Sequence, residues 1–178
     1  MDAFENIIAE LFFRRGFWVR NSVRVNLTQD DKRAIGRPTS PRWEIDVVTY
    51  KPAINTIEII ECKSYLDSSG VNADFITGIG QQSDKFKLFS DPILRNIVFN
   101  RLAIQFLENE MCMPDPKIIL SLACGKIQPN ARQAIVDHFR INQWNLYDDK
   151  WLKNELISLS SDKYENNILT VAAKIAFR

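Results

Sequence analysis

Apolar residues near the start of the chain repeat at three- and four-residue spacing, the period of a helix with one buried face. This pattern predicts an amphipathic helix over residues 2–15. Gly16 follows in the position where glycine commonly ends a helix. The repeating residues are Phe4, Ile7, Ile8, Leu11 and Phe12.

The pattern then changes to the partial alternation and β-branched composition that are typical of strands. Residues 17–27 are predicted to form the first strand, and the polar residues 28–41, with one glycine and two prolines, are predicted to form a loop. Residues 42–50 and 56–63 are predicted to be two further strands. Pro52 lies in the short segment between them, so the two strands are expected to form a hairpin.

Helical and strand patterns alternate through the rest of the chain, which predicts an α/β fold with a mixed central β-sheet flanked by helices. No repeat or linker divides the sequence, so residues 1–178 are predicted to form a single domain. The predicted helices are 75–89, 92–111, 129–139, 151–159 and 164–177, the predicted strands are 117–123 and 143–147, and residues 64–74 are predicted to be a loop.

Composition excludes several classes of protein. No apolar run approaches the ~20 residues that a membrane helix needs, and the acids precede the arginines at the N-terminus, opposite to a secretory signal. Cys62, Cys112 and Cys124 include no CxxC pair, which argues against a disulfide framework and a zinc site. With His138 as the single histidine, a His-paired nucleophile is improbable. We therefore expect a cytoplasmic protein with no membrane partner.

Charge is unevenly distributed although the net charge is only +1. Between residues 14 and 42 there are eight basic residues and two acids, which give this segment a charge of +6. A local basic surface is what a phosphate backbone requires, although a solvated surface of mixed charge explains the same count. Because the loop 28–41 leads into the hairpin, Arg33, Arg37 and Arg42 are the predicted nucleic-acid-binding residues.

The hairpin carries charged side chains where half-buried strands are normally apolar. Residues two apart share one face of a strand, so Glu61 and Lys63 are expected to point the same way. On the preceding strand, Glu44, Asp46 and Val48 are expected to share a face. A regular register that starts with Lys51 opposite Thr56 would bring the two sets together. The resulting opposite pairs would be Asp46 with Glu61 and Glu44 with Lys63.

Two carboxylates about 5 Å apart at Cβ repel each other unless a cation lies between them, and their oxygen atoms suit Mg²⁺ or Mn²⁺. An ammonium group at Lys63 could orient or deprotonate a water molecule, or stabilise charge on a phosphate. The alternative is a surface hairpin with an ordinary salt bridge. The isoleucine- and valine-rich runs beside the acids are typical of a central strand and favour a site.

Asp46 followed by Glu61-Cys62-Lys63 resembles the signature of the PD-(D/E)XK nuclease superfamily, which includes Mrr-like enzymes and Holliday-junction resolvases. Ile45 stands where the name-giving proline would be, and many members lack that proline. The resemblance extends to Phe4-Glu5 in the first helix. A glutamine in the helix after the hairpin, Gln81 or Gln82, also matches some branches.

This resemblance implies a restriction-endonuclease-like fold and a metal-dependent endonuclease that hydrolyses DNA, in restriction, phage defence or repair. By that resemblance, Asp46, Glu61 and Glu5 would hold Mg²⁺ or Mn²⁺, Lys63 would serve the attacking water, and Gln81 would position water or phosphate. DNA would be the partner, and a homodimer would allow both strands to be cut. The alternative is a nuclease-fold module that binds nucleic acid or protein without cutting.

Overall fold

A five-stranded mixed sheet forms the centre of the protein, seen in a computed structural model that describes residues 2–39, 42–79 and 83–177. The strands lie in chain order, with the first three antiparallel and the third, fourth and fifth parallel. The predicted α/β class is therefore confirmed. The strands are β1 (Trp18–Asn26), β2 (Arg42–Lys51), β3 (Thr56–Lys63), β4 (Lys117–Cys124) and β5 (Asn145–Tyr147).

Helices cover both faces of this sheet. The first helix begins at Asp2, whose carboxylate accepts the backbone N–H of Glu5 while the Glu5 carboxylate accepts the N–H of Asp2. No helix in the described part of the chain is long and apolar enough to cross a membrane. The α-helices are α1 (Ala3–Arg14), α2 (Gln29–Ala34), α3 (Ala73–Thr77), α4 (Lys87–Ser90), α5 (Pro92–Glu108), α6 (Arg132–Asn142), α7 (Asp149–Ser161) and α8 (Ile168–Ala176).

The sheet separates two apolar clusters, whose burial is the main favourable contribution to folding. The larger cluster joins β3 residues such as Ile57 and Ile59 to α4, α5 and α6. The smaller cluster joins Val47 and Ile60 to α1, α7 and α8. Alternate residues of β3 thus enter opposite clusters, as the isoleucine-rich sequence of this strand requires.

The structure corrects two predicted segments. The predicted loop 28–41 contains α2, which begins at Thr28 because its hydroxyl accepts the N–H of Asp31 and the Asp31 carboxylate accepts the N–H of Thr28. Arg101 of α5 also pairs with Asp31 at 2.6 Å and fixes α2 to the body of the protein.

The single helix predicted for residues 75–89 is also wrong. Helix α3 ends at Gly78, which has a φ of 85° that other residues rarely adopt. The chain resumes with a 3₁₀ turn, Ser83–Phe86, which leads directly into α4. These short pieces place Phe86 under the end of β3, where the candidate site lies.

Candidate active site

The site lies at the end of the β2–β3 hairpin where the two strands stop pairing. The ladder runs in the predicted register from Lys51 opposite Thr56 to Val47 opposite Ile60. The ladder does not continue to the predicted opposite pair of Asp46 and Glu61. Instead, Asp46 Oδ2 accepts the backbone N–H of Cys62 at 2.7 Å, so that a carboxylate takes up an amide directed toward β2.

Strand β2 changes face at Asp46. Ile45 and Val48 both enter the larger cluster, whereas Val47 enters the smaller one. Strict alternation would have placed Ile45 with Val47. The prediction that Glu44, Asp46 and Val48 share one face is therefore wrong, because the alternation is interrupted in the middle of that set.

Lys63 brings the two predicted carboxylates together. Its Nζ lies 3.6 Å from Asp46 Oδ2 and 3.5 Å from Glu61 Oε2. The same ammonium lies 5.9 Å from the centre of the Phe86 ring, which is buried in the larger apolar cluster. Three charged groups from two strands thus meet where the sheet opens.

Glu44 takes no part in this group. Its predicted position opposite Lys63 is wrong, since Glu44 pairs across the sheet with Arg24 at 3.3 Å and both side chains are exposed. The early end of the β2–β3 ladder explains the difference.

Glu61 is the most strongly perturbed acid of the site. The residue is only 8% exposed, and burial is the first reason that its pKa rises from 4.5 to about 7. Repulsion from Asp46 adds to this rise, and the charge of Lys63 opposes it. Glu61 Oε1 is buried and has no hydrogen-bond partner among the described residues. An acceptor in this state favours a cation or a proton beside it.

Lys63 remains an ammonium in this setting. Burial alone would lower its pKa, but the attraction of Glu61 and Asp46 is stronger and the pKa is raised above its ordinary value. The group is therefore suited to donating hydrogen bonds and positive charge, and less suited to removing a proton from water.

Glu5 approaches the same site from α1. Burial is the first cause of its raised pKa, and repulsion from Asp46 contributes in the same direction. Its charge also raises the pKa of Glu61. Glu5 is thus electrostatically coupled to the two strand carboxylates, although its carboxylate also caps the N-terminus of α1 through Asp2.

The chain directly after Lys63 is held firmly against the turn that follows β4. The carbonyl of Lys63 accepts the N–H of Gly125 at 3.1 Å, and a Cβ at Gly125 would lie 2.2 Å from the carbonyl oxygen of Ser64. Val71 exchanges backbone hydrogen bonds with this turn as well. The site is therefore carried on a strand whose exit is tightly packed.

The basic segment does not form one surface. Arg14 pairs with Glu165 and Arg15 with Glu155 on the side of α7 and α8. Arg33 is exposed and pairs with Asp30 within α2.

Arg37 and Arg42 belong to the part of this segment that leads into β2. The Arg37 guanidinium lies 5.4 Å from the centre of the Trp43 ring. Arg37 also helps to lower the pKa of Asp84, after the larger effect of Lys87, and Asp84 is two residues before Phe86. Arg42 is exposed at the start of β2. Arg42 thus belongs to the strand that carries Asp46, and Arg37 lies beside Trp43 of the same strand.

Two features of the site were not predicted. Phe86 falls within the single helix predicted for residues 75–89, and nothing in its sequence context indicates that it lies beside Lys63. Ser22, opposite Asp46, has a φ of 51°, and the small polar pair Asn21-Ser22 in a strand was the available signal. Gln81 and Gln82, predicted as alternatives for the site glutamine, lie outside the described residues.

The donor set fits Mg²⁺ or Mn²⁺ through its chemistry. In the described ranges there is no group of three or more His, Cys, Asp or Glu side chains arranged around a metal position. Mg²⁺ commonly uses one or two carboxylates together with water and substrate phosphate. Asp46 and Glu61 supply such a pair, and Glu61 Oε1, which has no hydrogen-bond partner in the described ranges, provides a buried acceptor.

Comparison with known proteins identifies no relative of this chain. No protein-family model, no curated protein and no solved structure matches this chain.

Proposed function

We propose that this protein is a divalent-metal-dependent nuclease of the PD-(D/E)XK type that hydrolyses phosphodiester bonds in DNA. The observation that carries the proposal is that the carboxylates of Asp46 and Glu61 both lie within 3.6 Å of the Lys63 ammonium at the open end of a hairpin. An ordinary surface salt bridge needs neither the buried Oε1 of Glu61 nor two acids on one lysine.

Asp46 and Glu61 would hold Mg²⁺ or Mn²⁺, and Glu5 would hold the metal or its water from α1. When bound, the cation would polarise a phosphate oxygen and lower the pKa of a water molecule. The chain's own contribution is to keep two carboxylates close together although they repel each other. The N–H of Cys62 holds Asp46, and burial holds Glu61.

Lys63 would stabilise the negative charge that develops on the phosphate during attack and would orient the attacking water. Its raised pKa keeps it protonated at neutral pH, which favours these roles over deprotonation of water. Packing against Phe86 and the tight exit at Gly125 restrict its movement. A fixed cation of this kind acts without reorganising during the reaction.

DNA would approach over α2 and the start of β2. Arg33, Arg37 and Arg42 are the arginines that we propose to contact phosphate, since Arg14 pairs with Glu165, between α7 and α8, and Arg15 pairs with Glu155 of α7. Asp31, anchored by Arg101, would give this surface a fixed position. Cleavage of both strands by one site per subunit would require two copies of the chain.

The proposal is tested by incubating pure protein with supercoiled plasmid in Mg²⁺, in Mn²⁺ and in EDTA. We expect nicking in either metal and none in EDTA. Asp46→Asn should abolish nicking while the melting temperature stays near that of the wild type, because the lost charge is a metal ligand. Glu44→Gln is the matched control, an acid two residues away that should leave nicking unchanged.

Two results would contradict the proposal. Full nicking by Asp46→Asn would remove the assigned role of this carboxylate. Binding of DNA by the wild type without any nicking in either metal would favour a nuclease-fold module that binds without cutting.

A further inference from the structure

Ser22 has an unusual backbone conformation in the middle of β1. Its φ is 51°, in the left-handed region that residues other than glycine, asparagine and aspartate seldom occupy. The residue lies inside a nine-residue strand, where no turn demands such a conformation. A strained residue that persists in a regular element requires an explanation from its surroundings.

The conformation coincides with a change of face along β1. Val19 packs with the smaller cluster, whereas Val23 and Val25 are buried in the larger one. These residues are all odd-numbered and would share one face in a regular strand. The change of face therefore falls between Val19 and Val23, and Ser22 is the residue whose backbone departs from strand geometry.

The partner strand changes face at the same point. Asn21 lies opposite Val47 and Val23 lies opposite Ile45, so the register puts Ser22 opposite Asp46. Ile45 and Val47 enter different clusters, just as Val23 and Val19 of β1 do. Both strands thus turn over together at one pair, without a slip in register.

We propose that Ser22 is a positioning residue that directs Asp46 into the gap between β2 and β3. Its left-handed conformation turns β1 over, and the paired β2 turns with it at Asp46. The β2–β3 ladder then ends at Val47, and the Asp46 carboxylate accepts the N–H of Cys62 and approaches Lys63. The catalytic consequence rests on the proposed nuclease function, whereas the conformational claim stands without it.

Burial on both sides concentrates the strain at this pair. Val47 is fixed in the smaller cluster, and Val23 and Ile45 are fixed in the larger one. A residue at position 22 that resists positive φ must therefore displace the pair itself, because its neighbours cannot change face without leaving a core. Asp46 is the side chain that such a displacement would move.

A substitution series at position 22 tests this proposal. Glycine and asparagine accept the left-handed conformation, alanine accepts it less well, and a β-branched residue least. Ser22→Gly and Ser22→Asn should preserve the site, Ser22→Ala should perturb it, and Ser22→Val should perturb it most. Gln143→Val is the matched control, since Gln143 has a φ of 58° between α6 and β5, away from the site.

The first measurement is hydrogen exchange of the Cys62 amide by NMR, which requires no catalytic activity. In Ser22→Val, this amide should exchange as fast as in Asp46→Ala, which lacks the acceptor. In Ser22→Gly and Gln143→Val, it should exchange as slowly as in the wild type. If Ser22→Val does not fold, the exchange rates of the Cys62 amide in the other three variants provide the test. Exchange should be slow in Ser22→Gly and Ser22→Asn and faster in Ser22→Ala.

The second measurement is the single-turnover rate of plasmid cleavage in Mg²⁺. Ser22→Val should cut about 100-fold more slowly, the loss expected for a displacement of about 1 Å at a reacting group. Ser22→Gly should cut at the wild-type rate. Gln143→Val should also cut at that rate, although its loss of stability should be similar to that of Ser22→Val.

The two measurements separate the two claims. The positioning role would be overturned if, in Ser22→Val, the Cys62 amide exchanged as slowly as in the wild type and the cleavage rate were unchanged. An inactive wild type whose Cys62 amide responds as expected would overturn the nuclease proposal and leave the positioning role supported.

Discussion

The two ends of the β2–β3 hairpin differ although they belong to the same pair of strands. At the closed end, backbone pairing is continuous from Lys51 and Thr56 to Val47 and Ile60, and the side chains between are mostly buried in apolar clusters. At the open end, the ladder stops and the carboxylates of Asp46 and Glu61 meet at the ammonium of Lys63.

This difference separates what makes the protein stable from what could make it act. The closed end satisfies its backbone groups and buries isoleucine and valine. The open end leaves Glu61 Oε1 buried with no hydrogen-bond partner in the part of the chain that the structure describes, and it holds two acids together. Such an arrangement opposes stability, and local conflicts of this kind are expected where a protein carries out chemistry.

The sharpest way to test the open end is to remove the ammonium group of Lys63. We expect Lys63→Ala to lower the single-turnover rate of cleavage by roughly 10²- to 10³-fold, the usual loss when one fixed stabilising group is removed. Lys63→Arg keeps the charge and should lose less, because the proposed role requires a cation and no proton transfer from Lys63. DNA affinity in Ca²⁺ should change little in either variant.

Lys51, at the closed end of the same hairpin, provides the control. Its Nζ donates to the carbonyls of Arg15 and Gly16, so Lys51→Ala removes a structural lysine remote from the acids. This variant should cut at the wild-type rate. If Lys63→Ala also cuts at that rate, the contrast between the two ends has no catalytic meaning.

The stability of the open end should depend on pH through Glu61. Because burial raises its pKa from 4.5 to about 7, the folded protein retains a proton that the unfolded chain has lost. The free energy of unfolding therefore falls as the pH rises. This loss of stability is absent below about pH 4.5, grows between pH 4.5 and pH 7, and is complete above about pH 7. A rise in pKa of this size corresponds to about 3 kcal/mol.

Glu61→Gln removes that loss of stability. The free energy of unfolding of the variant minus that of the wild type should therefore be larger at pH 8 than at pH 5, so the variant is relatively more stable at pH 8. Urea unfolding at both pH values in EDTA measures the difference. Glu44→Gln, an exposed acid, should change stability by under ~1 kcal/mol at either pH. An identical effect of Glu61→Gln at both pH values would show that burial does not perturb this carboxyl group.

A smaller effect is expected on the approach to the open end. Replacing Arg33, Arg37 and Arg42 with alanine should flatten the plot of log K for DNA against log salt. Each lost phosphate contact reduces the slope by about 0.9. Arg140→Ala, an exposed arginine on α6, is the control and should leave the slope unchanged. A triple variant with the wild-type slope would put the DNA on another surface.

The closed end was predictable from sequence because its apolar alternation and short turn determine one register. Lys51 opposite Thr56 follows directly from that pattern, and the structure confirms it. The open end was not predictable in the same way. Alternation assumes regular strand geometry, and the hydrophobic pattern does not encode the positive φ of Ser22 that turns β1 and β2 over.

The segment 28–41, which leads into β2, contained a signal for a helix that other residues obscured. Thr28 and Asp31 have the spacing of a helix N-terminus, and the structure begins α2 there. The glycine and prolines that follow favoured a loop over the whole segment. Glu5 was identified through the family resemblance rather than through spacing, and only the fold brings α1 to the strand carboxylates.

The most direct test of the account is calorimetric titration of the EDTA-treated protein with Mn²⁺ at pH 8. The wild type should bind Mn²⁺, Asp46→Asn should bind it at least ~10-fold more weakly because a ligand charge is lost, and Glu44→Gln should bind it like the wild type. Equal binding by wild type and Asp46→Asn, or no binding by the wild type, would contradict the central claim that the open end of the hairpin holds a catalytic cation.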